Sequence, residues 1–413
     1  MHVLILNQTF YPDVAATAQH MWDLARHLDT AGHDVTAITS RTVYGSTERF
    51  ANAHERIGRI NIHRVNQTSF GKRHTVGRMA DFLSYYVTAF AKMQSLPAPD
   101  VIVSLTSPPM ISLLGLLQSR VRQTSSGRRV AFVNYVMDLF PDAAVAMEVL
   151  KPKSMLTKLM RRLARASFDH CDAVIALGQD MKSRISNTYD IPHEKIHVVQ
   201  PWIDSTEIFP RPRTPNVLRA ELGLSDDVCV VLYSGNLGAA HDVQTLISAI
   251  DRTRDDAHLH WCFTGSGTGM RQLKQWADQT SPPHLTLLPY QPRERLGELL
   301  ALGDVHLVSQ LPAFTGIVVP SKLFGIMAAG RASIFVGPDD SEVGRILIKH
   351  RAGDVVRPGD VDALLASVAR YRNDISHRAA TSDRARNALV NEFDCPIQCR
   401  RIEALLKHVC EQE

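Results

Sequence analysis

Short apolar runs alternate with segments of helical period along almost the whole chain. The alternation stops once, at a proline-rich stretch near the middle, and then restarts. Before the break, strand-like runs occupy residues 3–6, 35–38, 60–65, 101–105, 130–136, 173–176 and 196–199; after it they occupy 229–233, 258–264, 285–288, 305–309, 333–336 and 354–356. The segments between them carry the other period. Residues 16–31 read as a helix closed by Gly32, and 76–96 places apolar side chains at Val76, Met79, Ala80, Leu83, Val87 and Phe90. Alternating β and α elements imply parallel sheets joined by right-handed crossovers. The break itself, residues 201–204 followed by 210–215, reads as a linker. The chain is therefore expected to be an α/β protein of two doubly wound domains, 1–200 and 201–378. A helical tail, 379–413, is expected to pack back toward the first domain. Ligands of such sheets bind outside the carboxyl ends of the strands, and two facing domains would leave a cleft for substrate.

Composition excludes several classes. With 45% hydrophobic and 21% charged residues, the chain reads as a soluble globular protein. Its six cysteines form no C-x-x-C pair, so neither a disulfide framework nor a zinc site is indicated, and a cytoplasmic setting is expected. Residues 1–6 run straight into Asn7 and Gln8, as a first strand does and a signal peptide does not. The longest apolar segment, 101–117, is broken by Pro108 and Pro109, so no membrane span is expected. Charge is uneven. Residues 1–200 hold 23 basic and 16 acidic side chains, net +7, whereas 201–413 hold 23 and 26, net −3. A basic first half suggests an anionic partner, lipid headgroups in particular. Nucleic acid is not expected, because no basic–aromatic recognition motif accompanies the charge.

Three turns of the second half could hold an anion. Residues 230–250 read strand, then a turn with Gly235, Asn236 and Gly238, then a helix beginning after Asp242, a suitable N-cap. A helix start aims unpaired N–H groups and the positive end of its dipole at such a turn, which suits phosphate. An ordinary βα connection reads the same way. Gly265-Ser266-Gly267 also lies between a strand and a helix, but Met270 stands where a full dinucleotide fingerprint has its last glycine. A nicotinamide enzyme is therefore weakly supported. Pro320-Ser321-Lys322 opens a third helix. A lysine there opposes the dipole unless a bound phosphate pairs with it; otherwise it simply reaches solvent.

Other features have structural explanations. Asp360-Val361-Asp362 lies at an expected helix start, so capping accounts for it. His33, His258 and His260 lack paired ligands and read as structural, and Trp202 reads as a packing anchor. In 153–167, Leu156, Leu159, Met160 and Leu163 form one stripe, opposite Lys158, Arg161, Arg162 and Arg165. The stripe suits a surface helix packed on the core, or a helix lying against anionic lipid.

Taken in order, the motifs resemble glycosyltransferase family 4, whose fold is GT-B: two Rossmann-like domains facing across a cleft. The resemblance rests on NQTFYPD (7–13), AGHDVTAITS (31–40), DVIVSLTSPP (100–109), VMDLFPD (136–142) and FDHCDAVIALG (168–178) in the first half. In the second half it rests on YSGNLG (233–238), FTGSG (263–267), LGDVHLVS (302–309), VVPSKLFGIMAAGR (318–331) and AGDVVRPGD (352–360). The exopolysaccharide branch, with its PSKL motif, is the most similar. The resemblance implies a retaining transferase that moves a sugar from a nucleotide-diphosphate donor, UDP-linked by expectation, to a hydroxyl of a saccharide acceptor, lipid-linked by expectation, with no cofactor and no metal. It implies donor contacts from Gly235, Asn236, Gly238, His241, Gly265, Gly267, Ser321 and Lys322. Acceptor contacts would come from Asp13, Val14, Ala15 and Ala16. Lys322 would neutralise the leaving diphosphate, and Asp138 would orient the acceptor hydroxyl or take its proton; Asp138 could instead cap the turn at residues 139–141. Peripheral attachment to the inner face of the cytoplasmic membrane would follow from the basic first half. Two departures stand out. Ala239, Ala240 and His241 replace the cations many members carry, and Ile317 and Gly325 replace the family's glutamates. The missing glutamates motivate an alternative: a transferase fold with weakened catalysis that serves as a sugar-nucleotide sensor or complex partner.

Overall fold

The computed structural model describes residues 1–412 except 44, 45, 47, 69 and 71–74; the side chains of 75 and 76 are also outside the description. The chain divides into two compact units, Met1–Gln200 with Pro396–Glu413, and Pro201–Cys395. The first break falls at the start of the proline-rich stretch. The second falls past residue 378, so residues 379–395 belong to the second unit and only the last helix returns to the first.

In the first unit the elements run β1 (His2–Leu6), α1 (Ala16–Thr30), β2 (Asp34–Ser40), β3 (His54–Ile57), β4 (Ile60–Val65), α2 (Thr75–Ser95), β5 (Val101–Ser104), α3 (Ser112–Val121), β6 (Ala131–Val136), α4 (Asp142–Ala146), α5 (Met155–His170), β7 (Ala173–Ala176), α6 (Gln179–Tyr189) and β8 (Ile196–Val198). They form one sheet of order β3-β4-β2-β1-β5-β6-β7-β8. Every pairing is parallel except β3 with β4, so β3 is an edge hairpin strand. Strands β5, β6 and β7 are buried at every position, which is why they read as continuous apolar runs.

The second unit runs α7 (Val217–Glu221), β9 (Cys229–Ser234), α8 (Val243–Arg252), β10 (Leu259–Thr264), α9 (Thr268–Thr280), β11 (Leu285–Leu288), α10 (Leu296–Leu302), β12 (Val305–Ser309), α11 (Lys322–Ala328), β13 (Ala332–Val336), α12 (Glu342–His350), β14 (Gly353–Val356), α13 (Val361–Asn373) and α14 (Ile375–Ala388). Its sheet, β11-β10-β9-β12-β13-β14, is parallel throughout. A π turn (Leu389–Phe393) ends α14, and α15 (Cys395–Glu411) follows. The expected tail is thus two helices split between the units.

Capping matches the sequence reading. Asp242 accepts the Thr245 N–H at 3.1 Å, and Asp360 accepts the Ala363 N–H at 2.9 Å, so the formal D-x-D is a helix cap. His258 pairs with Asp227 at 2.8 Å and His260 bonds Thr286 at 2.8 Å. Trp202 is buried.

Helix α5 corrects one expectation. Its sheet-facing side is Thr157, Ala164, Ser167 and Phe168, all buried. The Leu156, Leu159 and Leu163 stripe is not on the core but exposed. Small side chains let the helix approach its neighbours closely, so the larger leucines are turned outward. Among the described residues no helix is long and apolar enough to cross a membrane.

Candidate active site

The β9–α8 turn begins where the buried Tyr233 ends an apolar strand. Gly235 then takes φ +117°, a conformation other residues rarely adopt. Its N–H donates to the Thr264 carbonyl at 2.9 Å, and the Leu237 N–H donates to the Ser266 carbonyl at 2.7 Å. The β9 turn therefore lies on the β10 turn. A Cβ on Gly265 would sit 2.0 Å from the Gly235 oxygen, and one on Gly267 would sit 2.4 Å from the Leu237 oxygen. These two glycines are explained by the turns packing on each other. The N–H groups of Asn236, Gly238, Ala239 and Ala240 have no protein partner among the described residues, which leaves a set of donors at the head of α8.

Lys322 completes this arrangement. It is the first residue of α11, with Ser321 at the N-cap and no side-chain cap bond. Its ammonium lies over the Tyr233 ring, 3.9 Å from the centroid, and donates to the Tyr233 hydroxyl and, at 3.1 Å, to the Asn236 carbonyl. The Tyr233 hydroxyl itself donates to the Asn236 carbonyl at 2.9 Å. One aromatic residue thus positions both the cation and the turn. Lys322 keeps some contact with solvent, but dense protein around its ammonium pushes its pKa down to about 7. Among the described residues no carboxylate pairs with it. The first unpaired N–H groups of the turn and a cation without a counter-ion therefore share one spot.

His241 stands differently. Its Nδ1 lies 2.5 Å from the Ser309 carbonyl, and burial, reinforced by Lys322, pushes its pKa down to about 3. The ring is neutral, with the Nδ1 proton assigned to that carbonyl, so its other nitrogen is an acceptor and adds no charge for a phosphate. Gln310 was not legible in the sequence. It ends the β12 approach and donates to the Phe314 and Val318 carbonyls at 3.1 and 2.9 Å, fixing the loop that delivers Ser321. Ile317 is buried, whereas a Cβ on Gly325 would meet only Leu300, at 3.9 Å.

In the first unit, Asp13 is buried and accepts the Ala15 N–H at 3.1 Å, shaping the loop into α1. Val14 and Ala16 are exposed beside it, and Ala15 is the N-cap of α1 without a side-chain cap bond. Asp138 follows β6. Its N–H donates to Thr106 Oγ1 at 3.1 Å, and its carboxylate makes no hydrogen bond among the described residues, so it does not cap the turn at 139–141. Asp138 has a large solvent-facing area, yet it borders a small hollow with Asn134 and Phe168, and desolvation there pushes its pKa up, to about 6. A separate cavity of about 390 Å³ lies against β8 and α15, lined in part by Lys182, His197 and Arg401; none of the residues expected to bind acceptor lines it.

Comparison with known proteins follows the same division. Residues 17–207 match the model for Glycosyltransferase Family 4, and residues 216–388 match that for Glycosyl transferases group 1. An Escherichia coli K12 protein named as a colanic acid biosynthesis glycosyl transferase, WcaI, is 24% identical over 404 residues, covering 95% of this chain and 97% of its own. Sucrose-phosphate synthase of Thermosynechococcus elongatus superposes with a TM-score of 0.78 at 13% identity, over 100% of both chains. Anabaena HepE, solved in complex with UDP-glucose, superposes with a TM-score of 0.72 at 14% identity, over 99% of this chain and 100% of its own. The two matched families take up the two halves in the order the motifs set out, on the GT-B architecture of these structures, and the chain is a glycosyltransferase belonging to family 4, with a group 1 transferase domain as its second half.

Proposed function

We propose that this transferase moves a sugar from a nucleotide-diphosphate donor, UDP-linked in preference to others, to a hydroxyl of a lipid-linked saccharide acceptor in exopolysaccharide or cell-surface glycan synthesis. The observation that carries this reading is the Lys322 ammonium, uncompensated by any carboxylate among the described residues, beside the unpaired amides of the 235–240 turn. A diphosphate is the ligand that satisfies both. As the glycosidic bond breaks, charge grows on the departing diphosphate. An ammonium already in place stabilises that charge without reorganisation, so no metal is needed for the step. Anomeric configuration is retained. Asp138, with its pKa raised to about 6, accepts a hydrogen bond from the acceptor hydroxyl, and Asp13, Val14, Ala15 and Ala16 shape the acceptor's seat. The preference for uridine draws on HepE, solved with UDP-glucose, and the polysaccharide setting on the name of WcaI.

A panel of nucleotide sugars tests this directly. One UDP-sugar should raise the melting temperature by mass action, and UDP should be released when a lipid-linked acceptor extract is added, with EDTA making no difference. Binding without release in any acceptor extract would favour the sensor, which the isoleucine and glycine at 317 and 325 make the second reading. No stabilisation by any nucleotide sugar would remove both.

A further inference from the structure

We propose that the outer surface of α2, α3 and α5 on the first unit is a docking face for an anionic lipid bilayer; this deepens the reading of a lipid-linked acceptor and rests on it. The topology puts the three helices together. The connections β4 to β5, β5 to β6 and β6 to β7 all step the same way across the sheet order, so right-handed crossovers place their helices on one face. Helix α3 touches α5, and the Arg122 guanidinium just past α3 donates to the Met93 and Leu96 carbonyls at the end of α2, at 2.5 and 2.7 Å.

The outward side chains are the wrong kind for water. Helix α2 buries Asp81, Tyr85, Ala89 and Met93. Two residues out of phase, on the opposite side, Met79, Leu83 and Val87 are 62–65% exposed. On α5, Leu156, Leu159 and Leu163 are 38–54% exposed. Single exposed apolar residues need no explanation, but rows of them along adjacent helices do. Of the nineteen large exposed apolar side chains among the described residues, thirteen lie in the first unit, and eleven of those lie on these helices or on the connection into α5. The bias is regional, not general.

Charge selects the occupant. Arg161 and Arg165 are engaged by Asp142 and Asp190, at 3.0 and 3.1 Å. Lys158 and Arg162 are exposed, flank the leucines and have no ion-pair partner among the described residues. The only carboxylate on α2 is the buried Asp81, α3 has none, α5 has none before Asp169, and the connection into α5 carries one exposed acid, Glu148, against Lys151 and Lys153. A twofold contact with a second copy would bring this basic, apolar face near its own cations. A bilayer bearing anionic headgroups takes the leucines and neutralises the cations together.

Co-sedimentation of the full chain with vesicles decides it. The protein should pellet with vesicles of phosphatidylcholine containing phosphatidylglycerol, less with phosphatidylcholine alone. The double variant Leu83→Glu/Leu159→Glu should partition at least about tenfold more weakly, and Lys158→Glu/Arg162→Glu should lose the preference for phosphatidylglycerol. Stabilisation by UDP, read in the same samples, should be unchanged in both variants. Its retention separates a failure here from a failure of the donor assignment, and an unchanged calorimetric transition of the first unit, which carries the substitutions, shows that the variants fold. Wild-type protein left in the supernatant at every vesicle concentration overturns the proposal. So does a concentration-dependent dimer, without lipid, that the leucine variant abolishes.

Discussion

At the scale of single residues, Lys322 is where the sequence posed a contradiction and the structure a resolution. A cation in the first turn of a helix opposes the dipole, and here the Tyr233 ring, its hydroxyl and the Asn236 carbonyl hold it in place. Burial nonetheless keeps its pKa at about 7, far below that of a free lysine. A bound diphosphate raises that value, so binding above neutrality is coupled to proton uptake. Below about pH 7 the free ammonium already carries its charge, so its own contribution to affinity is level and only the second ionisation of the UDP phosphate remains. Above it, affinity falls with rising pH by up to about tenfold per unit, until the pKa of the complex is reached. Calorimetric titration of UDP between pH 6 and 9 measures this; a level profile contradicts it, and Lys322→Arg, charged throughout, should flatten it. Lys322→Ala should lower turnover by about 100-fold or more and move the melting temperature little, because the side chain is only half-buried and none of its partners is a charge left bare.

At the scale of elements, the two glycine turns behave as one object. The second supports the first, and the support requires backbone where a Cβ would be. Gly265→Ala and Gly267→Ala each meet a carbonyl oxygen at 2.0 and 2.4 Å and also force an alanine to φ +134° and +120°. Each should cost about 3 kcal/mol or more, read by urea unfolding, and weaken UDP binding by displacing the 235–237 backbone. Gly238→Ala, at ordinary φ and 3.0 Å from an Asn236 side-chain nitrogen that can swing aside, should cost about 1 kcal/mol or less. Equal losses at all three positions would refute this account. The sequence showed where these turns were because buried parallel strands are unbroken apolar runs ended by glycine. It did not show why the second needed its glycines, since the atoms they avoid lie about thirty residues earlier. Tyr233 was hidden for the same reason: its role is defined by a lysine 89 residues away. The edge strand β3 escaped notice because His54 and Arg56 alternate without an apolar face. The α5 leucines were legible as a stripe, but not which side of the helix met the sheet; small residues at 157, 164 and 167 decided that.

At the scale of the molecule, the chain completes the second unit and then returns α15 to the first. Ile402, Leu406 and Val409 are buried on that helix, and Leu405 nearly so. Each such side chain contributes about 1.5–3 kcal/mol, comparable in sum to the whole stability of a domain. Glu403 fixes the helix in register, accepting from His27 at 2.9 Å and His33 at 3.1 Å, with Lys407 at 2.7 Å. Burial by itself would raise the Glu403 pKa; the hydrogen bonds from Lys407, His27 and His33 outweigh it and hold it at about 2. A depressed carboxylate contributes above its unfolded value and loses that contribution as pH falls. Glu403→Gln should therefore cost up to about 3 kcal/mol at pH 7, and the gap to wild type should close between about pH 4.5 and 2. Removing 396–413 should act more severely and on one unit alone. In scanning calorimetry the transition of the first unit should fall steeply or vanish, while the second unit still melts later in the presence of UDP. Because the deleted residues follow the second unit in sequence, loss of the UDP-responsive transition instead would mean that the helix supports the lobe it leaves and not the lobe it rejoins.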